Sequence, residues 1–229
     1  MIRRAASALL ALLLAAPAGA ECRLALVLAL DVSSSVDAAE DALQRGGLAA
    51  ALIAPEVQRA FFASPDPVAL AAFEWSGRHN QSDLLDWTLI DSPAALHAAS
   101  DTIRRSLRSH ADFPTAMGYA LGYGAGRLGR APDFLSRTLD LSGDGKNNEG
   151  FGPDRAYREF PFQDVTVNGL VINAAEFEAE VDLVDYYRQE VLHGPGAFLE
   201  IAQGFEDFER AMRRKLEREL TPRVIGALQ

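Results

Sequence analysis

An α/β fold with a mostly parallel central sheet and helices on both of its faces is predicted by three observations. Short apolar runs alternate with helix-like segments along the chain. The first of these runs, Leu24 to Leu30, is apolar on both faces, as a covered central strand requires. Two such runs end in polar loops carrying an aspartate, Asp31 and Asp144, and open α/β sheets bind ligands beyond the carboxyl ends of their strands.

The chain of 229 residues, 48% hydrophobic and 24% charged, has material for one substantial domain with a proper core. Its start reads differently. Arg3 and Arg4 precede an apolar run from Ala5 to Ala16, and Pro17-Ala18-Gly19-Ala20 supplies small residues for cleavage after Ala20. Residues 1–20 are therefore read as a signal peptide and 21–229 as a single domain that is periplasmic or secreted. The run is short for a membrane span, and Glu21 before Cys22 does not suit lipidation. Loss of Arg3 and Arg4 takes the net charge from −10 to −12. That acidity argues against nucleic acid, whose phosphates are met by clustered Lys and Arg, and against adsorption to anionic lipid. The most basic stretch, Arg210 to Arg218, is interrupted by acids and reads as a solvated helix face. Cys22 is the single cysteine, so there is no intramolecular disulfide and no thiolate metal cluster; it is expected tucked at the start of a strand.

From the first strand onward the elements follow in order. Asp37 to Leu52 repeats apolar residues at helical spacing and is bounded by Pro55. Val68 to Trp75 is a strand between turn residues, and Asp83 to Ile90 alternates loosely, as an edge strand does. Ser92 caps a helix that runs to Ser109, with Pro93 in its first turn. Thr115 to Leu128 is a helix rich in Ala and Gly. Ser136 to Leu141 and Asp164 to Ile172 are strands, Val181 to Val191 a helix and Ala197 to Ile201 a short last strand. Phe205, Phe208, Met212, Leu216 and Leu220 mark one face of a final helix.

Three polar segments collect at the loops: Asp31-Val32-Ser33-Ser34-Ser35, Phe113-Pro114-Thr115 and Ser142-Gly143-Asp144-Gly145. Hard divalent cations take oxygen ligands in octahedral array and keep several waters. Alternation along the first loop points Ser33 and Ser35 the same way, and Asp31 is placed to orient them or to hold a metal-bound water. Thr115 and Asp144 are placed to close the shell.

Asp31-x-Ser33-x-Ser35, followed by Thr115 and by Asp144-Gly145, resembles the metal-ion-dependent adhesion site of von Willebrand factor A domains. Trp75-Ser76-Gly77, Ser142-Gly143-Asp144-Gly145, Asn168-Gly169-Leu170 and Gly194-Pro195-Gly196-Ala197-Phe198 further resemble a bacterial exported subgroup of unassigned function, DUF1194. The resemblance implies a Rossmann-like, doubly wound fold and a divalent cation, Mg²⁺ foremost, with Mn²⁺ or Ca²⁺ acceptable. It implies direct ligation by Ser33, Ser35 and Thr115, with the aspartates acting through water and a partner's carboxylate completing the shell. One position departs from the pattern. Gly143 separates Ser142 from Asp144, where the family carries Thr or Ser directly before Asp-Gly. The metal-facing acid is assigned to Asp144, with Asp140, inside the strand, as the alternative ligand or as a support behind the ligands.

Other chemistry is poorly served. His79, His97, His110 and His193 show no zinc-ligand spacing, although His110 is close enough to Thr115 to line the rim. There is no Gly-x-Ser-x-Gly elbow and no Gly-rich phosphate loop. The reading is a non-enzymatic binding module that captures an Asp or Glu of another exported or surface protein through its cation, with no nucleic acid and no stable membrane insertion of the mature chain. The competing readings are a metal-dependent phosphatase or hydrolase, whose Asp-x-Asp pattern is broken by Ser33, and a domain whose metal is purely structural.

Overall fold

The computed structural model describes residues 22–132, 134–173 and 181–221. The expected leader, residues 1–20, lies outside them. The first strand, β1 (Leu24–Asp31), is buried along its whole length. It pairs in parallel with β2 (Val68–Trp75) on one side and β4 (Arg137–Gly143) on the other. The ten-residue β3 (Gln81–Ile90) runs antiparallel to β2 as an edge strand. With β5 (Val165–Ile172) and β6 (Leu199–Ala202) the sheet has six strands in the order β3-β2-β1-β4-β5-β6. This is the mostly parallel, Rossmann-like α/β sheet that the alternating runs imply.

Strand alternation divides the core into two layers. Leu24, Leu26, Leu28 and Leu30 of β1 pack on one face of the sheet under α1 (Ala38–Leu52), α2 (Pro55–Phe61), α3 (Pro93–Arg105) and α7 (Phe208–Leu220). Ala25, Val27 and Ala29 pack on the other, under α4 (Met117–Leu128), α5 (Pro153–Glu159) and α6 (Val181–Tyr186), with Phe73, Trp75 and Tyr187 among the largest side chains there. Burying aliphatic and aromatic side chains of this size contributes about 1.5–3 kcal/mol each, so both layers hold the sheet firmly. No helix among the described residues is long and apolar enough to cross a membrane.

Several boundaries differ from the sequence reading, each for a local reason. Pro55 does not end structure but opens α2 at its first position, and Pro153 opens α5, which was not anticipated; proline suits the first helical turn because that N–H has no partner to lose. Helix α3 stops at Arg105 rather than Ser109 because the chain turns to bring Ser109 to the buried Glu74 carboxylate, which accepts from the Ser109 backbone N–H at 2.7 Å. Helix α4 starts at Met117, two residues after Thr115. The helix after Val181 changes at Tyr187 into a π-helical turn, Tyr187–Val191, and the last helix is preceded by a 3₁₀ turn, Phe205–Asp207. Cys22 is buried at the head of the sheet, in a bridge to Phe134.

The reading of Arg210–Arg218 as a wholly solvated face fails at Lys215. Its side chain is fully enclosed, with Nζ 2.7 Å from Asp140 Oδ1 and 2.7 Å from Glu219 Oε1. Phe208, Met212, Leu216 and Leu220 bury the expected apolar stripe of α7. Lys215 lies within that stripe and reaches down to a charge that belongs to the sheet.

Candidate metal centre

The carboxyl ends of β1 and β4 set the floor of the site. Asp31 ends β1 with a fully buried side chain, and its Oδ1 accepts from the Ser33 backbone N–H at 2.8 Å, folding the loop back over the strand end. The turn brings the Ser33 and Ser35 hydroxyl oxygens to 3.2 Å from each other. Thr115 Oγ1 donates to Ser33 Oγ at 3.2 Å, and Ser35 Oγ donates to Asp144 Oδ1 at 3.0 Å. Thr115, Ser33, Ser35 and Asp144 thus form one continuous run of hydrogen-bonded oxygens, and Asp31 joins it through the Ser33 N–H. Ser33 and Thr115 lie at its buried end; Ser35 is exposed and Asp144 half-buried at its outer end.

Asp140 stands elsewhere. Along β4, Leu139 and Leu141 face the α4 layer, so Asp140 points to the opposite face of the sheet, where Lys215 meets it. Gly143 has the same parity as Leu141 and therefore lies on the Asp31 side. A Cβ on Gly143 would stand 2.6 Å from the Tyr187 hydroxyl, 2.8 Å from Asp31 Oδ2 and 3.3 Å from Asp31 Cβ, too close for any side chain. The glycine that breaks the expected pattern is thus required by the closeness of β1, β4 and the π-helical turn at this point.

Three backbone clamps hold the loops in register. The Arg108 guanidinium donates to the Val32 and Ser33 carbonyls at 2.8 and 2.9 Å and to the His110 carbonyl at 2.8 Å, tying the serine loop to the segment before Thr115. Gln44 Nε2 reaches the Asp31 carbonyl at 3.0 Å from α1. The third clamp comes from the loop after Asp144. Helix α4 has no side-chain cap of its own, and Asn147 and Asn148 supply one: their side-chain oxygens accept from Met117 N at 2.8 Å and Thr115 N at 2.9 Å. Asn148 N donates back to the Thr115 carbonyl at 3.0 Å, so Thr115 is gripped through both its backbone groups. Asn147 and Asn148 carry no spacing signal in the sequence that would mark them for this role. His110 is near the rim only through its backbone and a T-shaped contact with Phe113, ring centroids 5.3 Å apart.

The same loop is fixed by a steric constraint at Gly118, in the first turn of α4. A Cβ there would meet the Phe151 carbonyl oxygen at 2.1 Å and the Phe151 ring at 2.6 Å. The backbone contact cannot be relieved by a rotamer change, so Gly118→Ala is expected to force the loop off α4 at a cost of about 1–3 kcal/mol. The midpoint of urea unfolding measures it; an unchanged midpoint would show that the loop yields freely.

Burial, reinforced by the neighbouring Asp144 charge and opposed by the Ser33 hydrogen bonds and Arg108, pushes the Asp31 carboxyl up to about 8. Asp31 Oδ2 has no hydrogen-bond partner among the described residues. Burial, then the charges of Asp31 and Asp144, pushes the Tyr187 phenol upward, so it remains a proton donor. Three clustered hydroxyls with the Asp144 carboxylate at one end and the buried Asp31 carboxyl beneath the loop have the chemistry of a hard-cation site, and the residues present fit such an ion.

Solved structures with this fold bear on the assignment. Proximal thread matrix protein 1 from the mussel byssus superposes with a TM-score of 0.62 at 16% identity, over 88% of this chain and 48% of that one. Its structure with a zinc-occupied MIDAS motif gives 0.59 at 15% identity, over 87% and 48%. A von Willebrand factor type A structure from Catenulispora acidiphila gives 0.56 at 19% identity, over 87% and 43%. The chain therefore spans less than half the length of each, and identity this low speaks to the fold. No curated protein matches the chain. The family described as a protein of unknown function (DUF1194) matches residues 21–224, nearly all of the sequence beyond the leader, and the chain belongs to that family, in which it carries a von Willebrand factor A-like fold.

Proposed function

We propose that the protein is an exported, non-enzymatic interaction module in which a divalent cation, held by Asp31, Ser33, Ser35, Thr115 and Asp144, captures an Asp or Glu side chain of another exported or surface protein. The observation that carries this reading is the spacing of the oxygens. Adjacent ligands of an octahedral ion bonded at about 2.1 Å, as Mg²⁺ is, lie about 3.0 Å apart, whereas those of Ca²⁺ lie roughly 3.3–3.7 Å apart. The hydroxyl and carboxylate oxygens here are separated by 3.0 to 3.2 Å, so they stand close enough together to share one hard divalent cation in place of their mutual hydrogen bonds.

The ion would supply a positive charge at the outer end of the cluster. The chain's own residues do the rest. Asp31 holds the serine loop through the Ser33 N–H, Arg108 and Asn148 fix the loops that carry Ser33 and Thr115, and the exposed Ser35 and half-buried Asp144 leave the outward side accessible to a carboxylate. Binding is favoured over hydrolysis because the hydroxyls of Ser33 and Ser35 are engaged by each other, Thr115 and Asp144 rather than by a histidine base. Export rests on the basic-apolar-small pattern of residues 1–20.

Calorimetric titration of the purified chain with MgCl₂ and MnCl₂ is expected to give one site, and the Ser33→Ala/Ser35→Ala double variant is expected to lose at least two orders of magnitude in affinity. At a free ion concentration about 100 times Kd, linkage adds about 2.7 kcal/mol of stability, a readily measured rise in melting temperature. Equal binding by the double variant would sink the site. Retention of an exported partner in chelator would sink the capture role while leaving the ion in place.

A further inference from the structure

At the base of the oxygen cluster, two buried oxygens face the same small space. Asp31 Oδ2 and the Tyr187 hydroxyl are both fully enclosed, and neither has a hydrogen-bond partner among the described residues. Both lie over Gly143, at 2.8 and 2.6 Å from the point its Cβ would occupy. Two atoms that share one point at those lengths can be no further apart than their sum. Across a gap no wider than that, one water can bridge the two oxygens, and a side-chain rotation that narrows it brings them into direct contact.

The fold gives Tyr187 few other choices. It is the first residue of the π-helical turn, and its ring edge packs against Gly169 of β5, where a Cβ would stand 3.0 Å from Tyr187 Cδ1. The phenol enters from the β5 side and its hydroxyl ends at the junction of β1 and β4. Single π-helical turns of this kind recur at functional sites because they re-aim one side chain. Asp31 already gives one oxygen to the Ser33 N–H, so its second oxygen is the acceptor within reach of the donor.

We propose that Tyr187 is a positioning residue of this site: its hydroxyl donates to Asp31 Oδ2 through the gap left by Gly143 and thereby fixes the carboxylate on which the serine loop hangs. The inference rests on the cation reading above and names a residue that the motif does not contain. It also gives Gly143 a role. A side chain at that position would stand between donor and acceptor, so the glycine and the tyrosine act as a pair.

The test is Tyr187→Phe in the full chain, which keeps the ring and removes the hydroxyl. Groups that orient a metal's ligands typically contribute ten- to a hundredfold to affinity, so Mn²⁺ binding by calorimetry is expected to weaken by about that factor. Mg²⁺ is expected to perturb the near-ultraviolet tyrosine absorption of the wild-type chain and of Tyr186→Phe, but not of Tyr187→Phe; a residue that merely fills space would give no such difference. Gly143→Ala is expected to weaken binding similarly, and the double variant Gly143→Ala/Tyr187→Phe to be no weaker than the worse single one, because both changes break the same contact. If wild type binds Mn²⁺ and Tyr187→Phe binds it equally well, the role of Tyr187 is overturned and the ion site stands. If the wild-type chain binds neither ion, both inferences fall together.

Discussion

Lys215→Ala is expected to destabilise the folded protein by about 3–5 kcal/mol, the usual cost of removing one partner from a buried ion pair. Lys215 is completely enclosed and stands 2.7 Å from carboxylate oxygens on both sides, Asp140 Oδ1 from β4 and Glu219 Oε1 from its own helix. Burial opposes the charge on its ammonium, but Asp140 and Glu219 together overcome this and hold its pKa above the usual lysine value. The cluster continues into the sheet. Asn168 of β5 donates to Glu219 Oε1 at 2.7 Å and accepts from Phe198 N at 3.0 Å, so α7, β4, β5 and the approach to β6 meet at this one cation. Taking the ammonium away leaves two carboxyl groups in an apolar layer with no counter-charge. Urea unfolding followed by circular dichroism measures the loss. The triple variant Lys215→Met/Asp140→Asn/Glu219→Gln is expected to recover most of it, because the cost lies in the orphaned charges and not in lost packing. A loss below about 1 kcal/mol for Lys215→Ala would contradict the assignment of a buried, ionised lysine.

The oxygen cluster was legible in the sequence because its five side chains sit in loops that follow or precede strongly patterned elements. Leu24 to Leu30 could hardly be anything but a covered strand, and Asp31 then had to lie at its carboxyl end. The choice between Asp144 and Asp140 was not legible from the motif alone. It depends on which sheet face each residue takes, and only the register of β4 against β1, with Leu28 opposite Asp140, fixes that parity. The supporting residues were hidden for a different reason. Tyr187, Arg108, Asn147 and Asn148 act through contacts far apart in sequence and carry no spacing signature. Lys215 was misread because an amphipathic stripe of Phe208, Met212, Leu216 and Leu220 says only that a face is buried. Whether a lysine on that face snorkels outward or pairs inward depends on an acid elsewhere, here Asp140. The helices α2 and α5 did have a signal, a proline at the first position: Pro55 bounds the preceding helix and opens the next at once, and Pro153 opens α5.

Asp140→Asn is expected to reverse the usual sense of such a substitution: nearly neutral at about pH 4 and increasingly stabilising as the pH rises towards about 8. Burial first, then the charge of Glu219, pushes the Asp140 carboxyl up to about 8 against the pull of Lys215. Below that pH the Asp140 carboxyl keeps its proton in the native cluster beside the Lys215 ammonium. Asp140 Oδ2 has no hydrogen-bond partner among the described residues, which fits a protonated carboxyl there. The unfolded chain releases that proton near pH 4, the ordinary aspartate range. Between roughly pH 4 and pH 8 the native state therefore binds more protons than the unfolded state, and its stability falls as the pH rises, by up to about 1.4 kcal/mol per pH unit. Outside that window this group contributes no slope. An asparagine at 140 mimics the protonated form and removes the slope. Comparing variant with wild type at each pH cancels every other group, Asp31 included. Urea midpoints measured from about pH 4 to about pH 9 in chelator are expected to converge at the acid end and to separate in favour of the variant up to about pH 8. Parallel profiles would mean that Asp140 is ionised throughout this range.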